Sequence, residues 1–413
     1  MSIGKRVAIL TGGGEVPGLN MCLKSLVYRL IDEGFEPIGV RKGWEGLINY
    51  NFHDPTTYGD NFMELTKNMV RPVDRAPGSF LHCSRVNPGE APARAIPKFV
   101  KKAGADTQNL TDHLKEVIER LGYYALITIG DDDMLVYAAQ LSQQGVPIIG
   151  IPKTVYNNIN GTDYTIGFST GLARGVAFIH ELRALAGSRE QIMVVETFGV
   201  NSGLSSLMTS FLAGADRAII PEVPYDPERL ARLVMQDKRL NPSNYAVITV
   251  SDGAYIEPDK VMKYTPHLSP RSKSEVLKLM TEQTARAVKA EDEFILDDVV
   301  EPGTSLAGSG MVVAELLGDL TGEEVFMQPL SYLLRTGSPD GQDLLGATNF
   351  AILATRLVKQ GKFGRMTAYQ QRYNLTDVDL QVVTKGPHRV DVGEMYDERE
   401  YKPKVNLIWA AQE

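Results

Sequence analysis

Short apolar runs alternate along this chain with stripes of apolar residues at helical spacing. RVAIL, a stripe through MCLKSLVYRLID, and PIGV open the series; YALITIG, MLVYAAQLSQQ and VPIIGIP continue it. The runs read as strands and the stripes as amphipathic helices. Alternating strands and helices require right-handed crossovers and build a parallel sheet covered on both faces. IMVVET, LSSLMTSFLAG, RAIIPE, PERLARLVMQ and YAVITVSDG repeat the order. The pattern predicts an α/β protein of two similar doubly wound domains with mostly parallel sheets, each with its ligand cleft at the C-terminal ends of its strands.

The pattern changes between about residues 262 and 310, where KSEVLKLMTEQTARAVKAED carries an interrupted apolar stripe and reads as a helical insertion or packing arm. Beyond it, TDVDLQVVTKGPHRVDVGEMYDEREYKPK is richer in strand and turn signals. The expected organisation is a first domain over 1–155, a second over 156–345 that contains the insertion, and a C-terminal segment, 346–413, that can return to the first domain.

With 413 residues, 43% hydrophobic and 23% charged, the chain has ordinary globular composition and enough length for two packed cores. No apolar run approaches the roughly 18 residues that span a bilayer, and MSIGKRVAIL passes straight into a strand; a cytoplasmic protein is expected. The net charge of −8 argues against a general nucleic-acid binder and leaves room for a local basic pocket that takes a small anion. Cys22 and Cys83 are too few for a disulfide framework or a four-cysteine zinc site and read as packing residues.

Candidate chemistry begins at TGGGEVPGLN, residues 11–20, directly after the first strand and before a helix. Glycines there let the backbone approach a ligand, and helix N-terminal amides favour an anion; a tight strand-to-helix connection would also need them. No HExxH, paired CxxC, GxSxG or Walker lysine motif supports zinc hydrolysis, α/β-hydrolase chemistry or a P-loop ATPase.

Further motifs follow in order: GWEGL at 43–47, GSFLHCSRVNP at 78–88, IGDDD at 129–133, PKTVYNNINGTDYTIGF at 152–168, VVETFGVNSG at 194–203, IPE at 220–222 and YLLRTGSP at 332–339. From residue 7 to about 340 the series resembles phosphofructokinases, and most resembles their pyrophosphate-dependent branch. The resemblance implies two α/β domains, a phosphoryl donor in the first, fructose 6-phosphate between them, a glycolysis-related role, magnesium and a homo-oligomer. It also implies that Gly13 and Arg85 hold donor phosphates, that Asp132 holds magnesium, and that Lys153 and Thr154 belong to the catalytic turn. Asp133 stands where ATP-using members have glycine, and its side chain fills space that a nucleotide needs; with Lys153 as a point charge, diphosphate is the expected donor. Phe198, Glu222, Tyr332 and Arg335 match acceptor positions, while Trp44 and Leu47 read as wall packing.

The sequence departs from the family pattern where catalysis is concentrated. Tyr156 and Asn158 stand where the motif has aspartates, the first of them the general base. Tyrosine, with a reference pKa of about 10, is mostly protonated at neutral pH, and an amide has no useful basicity. Arginines that grip the sugar phosphate would align with Gln191, Val200 and Phe326. Two readings fit: a phosphotransferase with an altered acceptor, in which Tyr156, Asp163 or His82 manages the proton, or a catalytically silent paralogue that binds a ligand or regulates an active homologue in a hetero-oligomer. Asp163 also reads as the N-cap of the following helix, His82 as a loop histidine, Tyr156 as a packed aromatic and His180 as a structural residue among apolar neighbours.

Overall fold

The computed structural model describes residues 5–102, 104, 106–264, 309–371 and 374–404. The chain divides into two compact units, Met1–Gly171 with Arg335–Pro387, and Leu172–Leu334 with His388–Glu413. In chain order the first unit contains β1 (Arg6–Thr11), α1 (Leu19–Asp32), β2 (Glu36–Val40), β3 (Phe62–Glu64), α2 (Thr111–Leu121), β4 (Ala125–Gly130), α3 (Asp132–Gln143) and β5 (Ile148–Pro152). Helix α4 (Phe168–Arg189) leads into β6 (Ile192–Thr197), α5 (Leu204–Ala213), β7 (Arg217–Ile219), α6 (Pro227–Leu240), β8 (Ala246–Ser251), α7 (Ser309–Thr321) and β9 (Val325–Pro329). The chain then re-enters the first unit with α8 (Gly341–Gln360), β10 (Arg365–Gln370) and β11 (Asn374–Asp379).

The first sheet runs β11-β10-β5-β4-β1-β2-β3. It is parallel except at its edges, where β3 and β11 pair antiparallel with β2 and β10. All of β4, ALITIG, is buried, as expected of a central strand covered on both faces. From β1 the chain goes to β2 on one side and later comes back to β4 on the other. That reversal opens a crevice beyond the C-terminal ends of β1 and β4. The second sheet, β9-β6-β8-β7, is parallel throughout.

Where the sequence suggests a division near residue 155, the first unit runs on to Gly171. The segment after β5 is tied to that unit: the Asp163 amide donates to the Tyr369 carbonyl at 2.7 Å, and the Gly167 and Thr170 amides donate to the Asp343 carboxylate at 2.6 and 2.9 Å. Asp343 also accepts from the hydroxyls of Thr170 and Tyr164, and none of its surface is exposed. This residue of α8 therefore satisfies the start of α4, whose first amides have no partner within their own helix. Asp163, expected to cap that helix, is exposed and is held through its backbone, because α4 starts only at Phe168. His180, expected among apolar neighbours, is exposed on α4. Arg335–Pro387 lies in the first unit and His388 onward in the second, so the C-terminal segment is shared. The insertion expected over 262–310 lies, apart from its ends, outside the described residues. Among the described residues no helix is long and apolar enough to cross a membrane.

Candidate active site

Three strand ends of the first unit build the candidate site. Beyond β1 the chain turns through Gly12, Gly13 and Gly14; beyond β4 it reaches Asp131; beyond β5 it reaches Lys153. The Gly12 amide donates to the Ile129 carbonyl and the Gly13 amide to the Ser84 carbonyl, both at 3.1 Å. Gly13 therefore has its amide already bonded within the chain. Its φ of +72° lies in the left-handed region, and a Cβ there would fall 1.9 Å from Asp131 Oδ2. Gly13→Ala is expected to cost about 1–3 kcal/mol of backbone strain and to displace Asp131, lowering both the melting temperature and the affinity for a donor anion; thermal unfolding and a pyrophosphate titration of the same variant check this.

Three cations converge on the next glycine. Lys153 Nζ donates to the Gly14 carbonyl, and a Cβ on Gly14 would lie 2.2 Å from Arg335 Nη1 and 3.3 Å from Arg85 Nη2. These groups wall a small, solvent-open cavity together with Asp131, Thr154 and Tyr156. Lys153 is 1% exposed. Burial is the main reason that its ammonium sits below the ordinary lysine value; the carboxylate of Asp131 opposes that shift, and Arg335 and Arg85 add to it. Such a group, with two guanidiniums beside it, is stabilised by an incoming anion. The cap of α1, Gly18, is packed within the unit. A Cβ there would meet Ile166 at 2.9 Å and Asp343 at 3.4 Å.

Tyr156 is half-buried, and its hydroxyl oxygen accepts from Arg335 Nη2 at 2.7 Å. The guanidinium lies 5.8 Å from the ring centroid. Thr154 is buried and shapes the turn, since its hydroxyl accepts the Tyr156 amide at 3.1 Å and its carbonyl accepts the Thr165 hydroxyl at 2.6 Å. Asn157 adopts a φ of +53°, a conformation asparagine tolerates, and its amide side chain bonds Asp163 and Thr165. His82 is an exposed loop residue outside both cavities.

The three aspartates of IGDDD separate into different roles. Asp131 is the N-cap of α3, accepting from the Met134 amide at 3.3 Å, and it lines the first cavity and a small adjoining one. Asp131 is not among the residues the family motif points to, although an aspartate placed immediately before a helix is a cap signal. Asp133 is exposed and lines the second cavity with Trp44 and Arg85. Trp44 packs edge-on against Tyr137, their ring centroids 5.2 Å apart, which agrees with its reading as a wall residue. Asp132 lines neither cavity and instead faces Asn158, whose Nδ2 donates to Asp132 Oδ2 at 3.3 Å. Burial, and then the charges of Asp131 and Asp133, raise its carboxyl well above the usual carboxylate range. Asn158 Oδ1 is buried without a hydrogen-bond partner. A carboxylate beside an unsatisfied carbonyl oxygen is a donor set for a hard divalent cation that takes its remaining ligands from water and phosphate.

In the second unit, Phe198 follows the end of β6 and meets Tyr332 edge-on at 6.4 Å. Glu222, expected to bind an acceptor, accepts the Gly203 amide at 3.0 and 3.1 Å and the Val390 amide at 3.0 Å, so its carboxylate ties the turn before α5 to the C-terminal segment. Gln191 and Phe326 lie at the other end of the sheet, where Phe326 is in register with Met193 and Gln191 donates to Glu324 at 2.5 Å. Within this chain they do not join Phe198. Val200 follows Phe198 in the same turn and carries no polar group.

The phosphofructokinase family profile matches residues 6–358. An ATP-dependent 6-phosphofructokinase of Chloroflexus aurantiacus is 30% identical over 366 residues, covering 88% of this chain and 87% of that protein. A pyrophosphate–fructose 6-phosphate 1-phosphotransferase of Amycolatopsis methanolica is 29% identical over 396 residues, covering 95% of this chain and 99% of that protein. A pyrophosphate-dependent phosphofructokinase from Marinobacter aquaeolei shares the fold, with a TM-score of 0.69 and 15% identity over 97% of this chain and 89% of that one. With a family match across most of its length, the chain belongs to the phosphofructokinase family.

Proposed function

We propose that this chain is a phosphotransferase that takes a phosphoryl group from a compact diphosphate and passes it to an acceptor other than fructose 6-phosphate. The convergence of Arg85, Lys153 and Arg335 on Gly14 carries the reading. Three fixed cations at the end of a parallel sheet suit a small polyanion whose charge is spread over several oxygens. The carboxylate of Asp133 beside the adjoining cavity supports a diphosphate over a nucleotide, because it adds negative charge where the rest of a nucleotide would have to lie.

Asp132 and Asn158 would hold magnesium, which when bound neutralises charge on the donor phosphates. The chain's own part is positional: Lys153, Arg85 and Arg335, the last expected from the sequence at an acceptor position, orient the donor, and Gly13 and Gly14 leave room for it. Without an aspartate at 156 the acceptor proton has no strong base, a loss that typically costs about 10²–10⁴ in rate. A second reading, a silent ligand-binding paralogue, is favoured by Glu222, whose carboxylate is engaged by backbone amides.

Calorimetric titration with pyrophosphate, ATP and fructose 6-phosphate, each with magnesium, tests the proposal. The expected result is pyrophosphate binding that chelation of magnesium weakens at least tenfold, with no heat from fructose 6-phosphate. Failure to bind pyrophosphate would overturn the diphosphate donor, and binding of none of the three would leave the silent paralogue.

A further inference from the structure

We propose that Tyr156 is itself a phosphoryl acceptor, so that the protein phosphorylates its own active-site tyrosine from the diphosphate donor. The inference rests on the donor reading above and assigns a covalent product to the same cavity. Tyr156 and Thr154 are the hydroxyl-bearing side chains that line it. Thr154 is buried and its hydroxyl accepts the Tyr156 amide, whereas Tyr156 is half-buried and its hydroxyl meets Arg335 in the wall that Lys153 and Arg85 share.

The chemistry favours a phenol at this place. A phenolic oxygen gives up its proton far more readily than an aliphatic hydroxyl, with a reference pKa of about 10, so it depends less on a strong base, and the turn provides none. Arg335 donates to that oxygen and lies beside the cations that would hold the donor, so one guanidinium spans nucleophile and phosphate. In the transfer, the bond from Tyr156 Oη to phosphorus forms and the bridging P–O bond of pyrophosphate breaks. The bridging oxygen leaves with orthophosphate, which takes up the phenolic proton and departs as hydrogen phosphate. The phosphotyrosine left behind carries a charge of about −2 against Arg335, Arg85 and Lys153, the setting in which such a group forms strong charge-assisted hydrogen bonds. Occupying the donor's own cavity, it blocks the next donor and limits the reaction to one turnover per chain.

The experiment uses the full chain with pyrophosphate and magnesium, following released phosphate and identifying the modified residue by peptide mass spectrometry, with pyrophosphate binding measured calorimetrically on the same preparation. The expected result is a burst of one phosphate per chain and one phosphoryl group on Tyr156. Tyr156→Phe, which keeps the ring, should abolish both while retaining the wild-type circular dichroism spectrum. Pyrophosphate binding without modification of Tyr156, or modification elsewhere only, overturns the inference and leaves the donor reading intact. Absence of pyrophosphate binding overturns both.

Discussion

Asp343→Ala is expected to unfold or severely loosen the first unit. The substitution removes the acceptor for the Gly167 and Thr170 amides and for the Thr170 and Tyr164 hydroxyls. Each buried donor left without a partner costs about 1–3 kcal/mol, so a combined loss of about 5 kcal/mol is expected. That equals the lower end of a typical domain's total stability, about 5–15 kcal/mol. Urea unfolding monitored by circular dichroism measures it, and a loss under about 1 kcal/mol would mean that the start of α4 is satisfied by water instead. Burial holds the Asp343 carboxyl above its ordinary value, although its hydrogen bonds oppose the shift. The folded chain therefore binds this proton more tightly than the unfolded chain. The resulting stabilisation is complete below the unfolded pKa of about 3.9 and is lost as pH rises through the folded value. Asp343→Asn, neutral and of the same size, should be milder than alanine, and its deficit relative to wild type should be smaller at neutral pH than in acid.

Lys153→Met should remove the largest share of donor recognition. The methionine fills the space of the aliphatic stem and deletes the ammonium that bonds the Gly14 carbonyl. Loss of a preorganised charge in such a site typically costs about 10²–10³ in transfer rate. Pyrophosphate affinity should fall at least tenfold while the unfolding midpoint stays the same or rises, because a buried cation is exchanged for an apolar group. Since burial lowers the lysine's proton affinity, wild-type binding should weaken as pH rises through that lowered value, and the variant should lose this dependence. A variant that binds pyrophosphate as tightly as wild type would remove Lys153 from the site.

Local sequence patterns carried most of the architecture because strands buried in a parallel sheet and helices covering it leave different apolar periods. RVAIL, YALITIG and VPIIGIP become adjacent strands β1, β4 and β5, and their ends bring together Gly13, Asp131 and Lys153. What the sequence hid was partnership at long range. Asp343 stands 176 positions from the Gly167 amide it receives, so no rule about caps next to helices could find it. Glu222 matches an acceptor position by motif, yet the amide of Val390, 168 positions away, takes one of its oxygens. Asp131 differs from both, since its signal was local; the motif drew attention to the two aspartates after it.

The route of the chain through its two units also bears on how the protein emerges from the ribosome. Strands β10 and β11, and the helix that carries Asp343, come from Arg335–Pro387, after most of the second unit has been synthesised. Until then β5 is left as an open sheet edge, and the start of α4 lacks its acceptor. The four-stranded sheet of the second unit, by contrast, is encoded within one continuous stretch. During translation the sheet encoded in the middle can form first, although its unit is completed only by the segment from His388 onward, while the amino-terminal unit waits with an unpaired strand exposed. A ribosome stalled between β9 and α8 would therefore present an aggregation-prone nascent chain that needs chaperone protection.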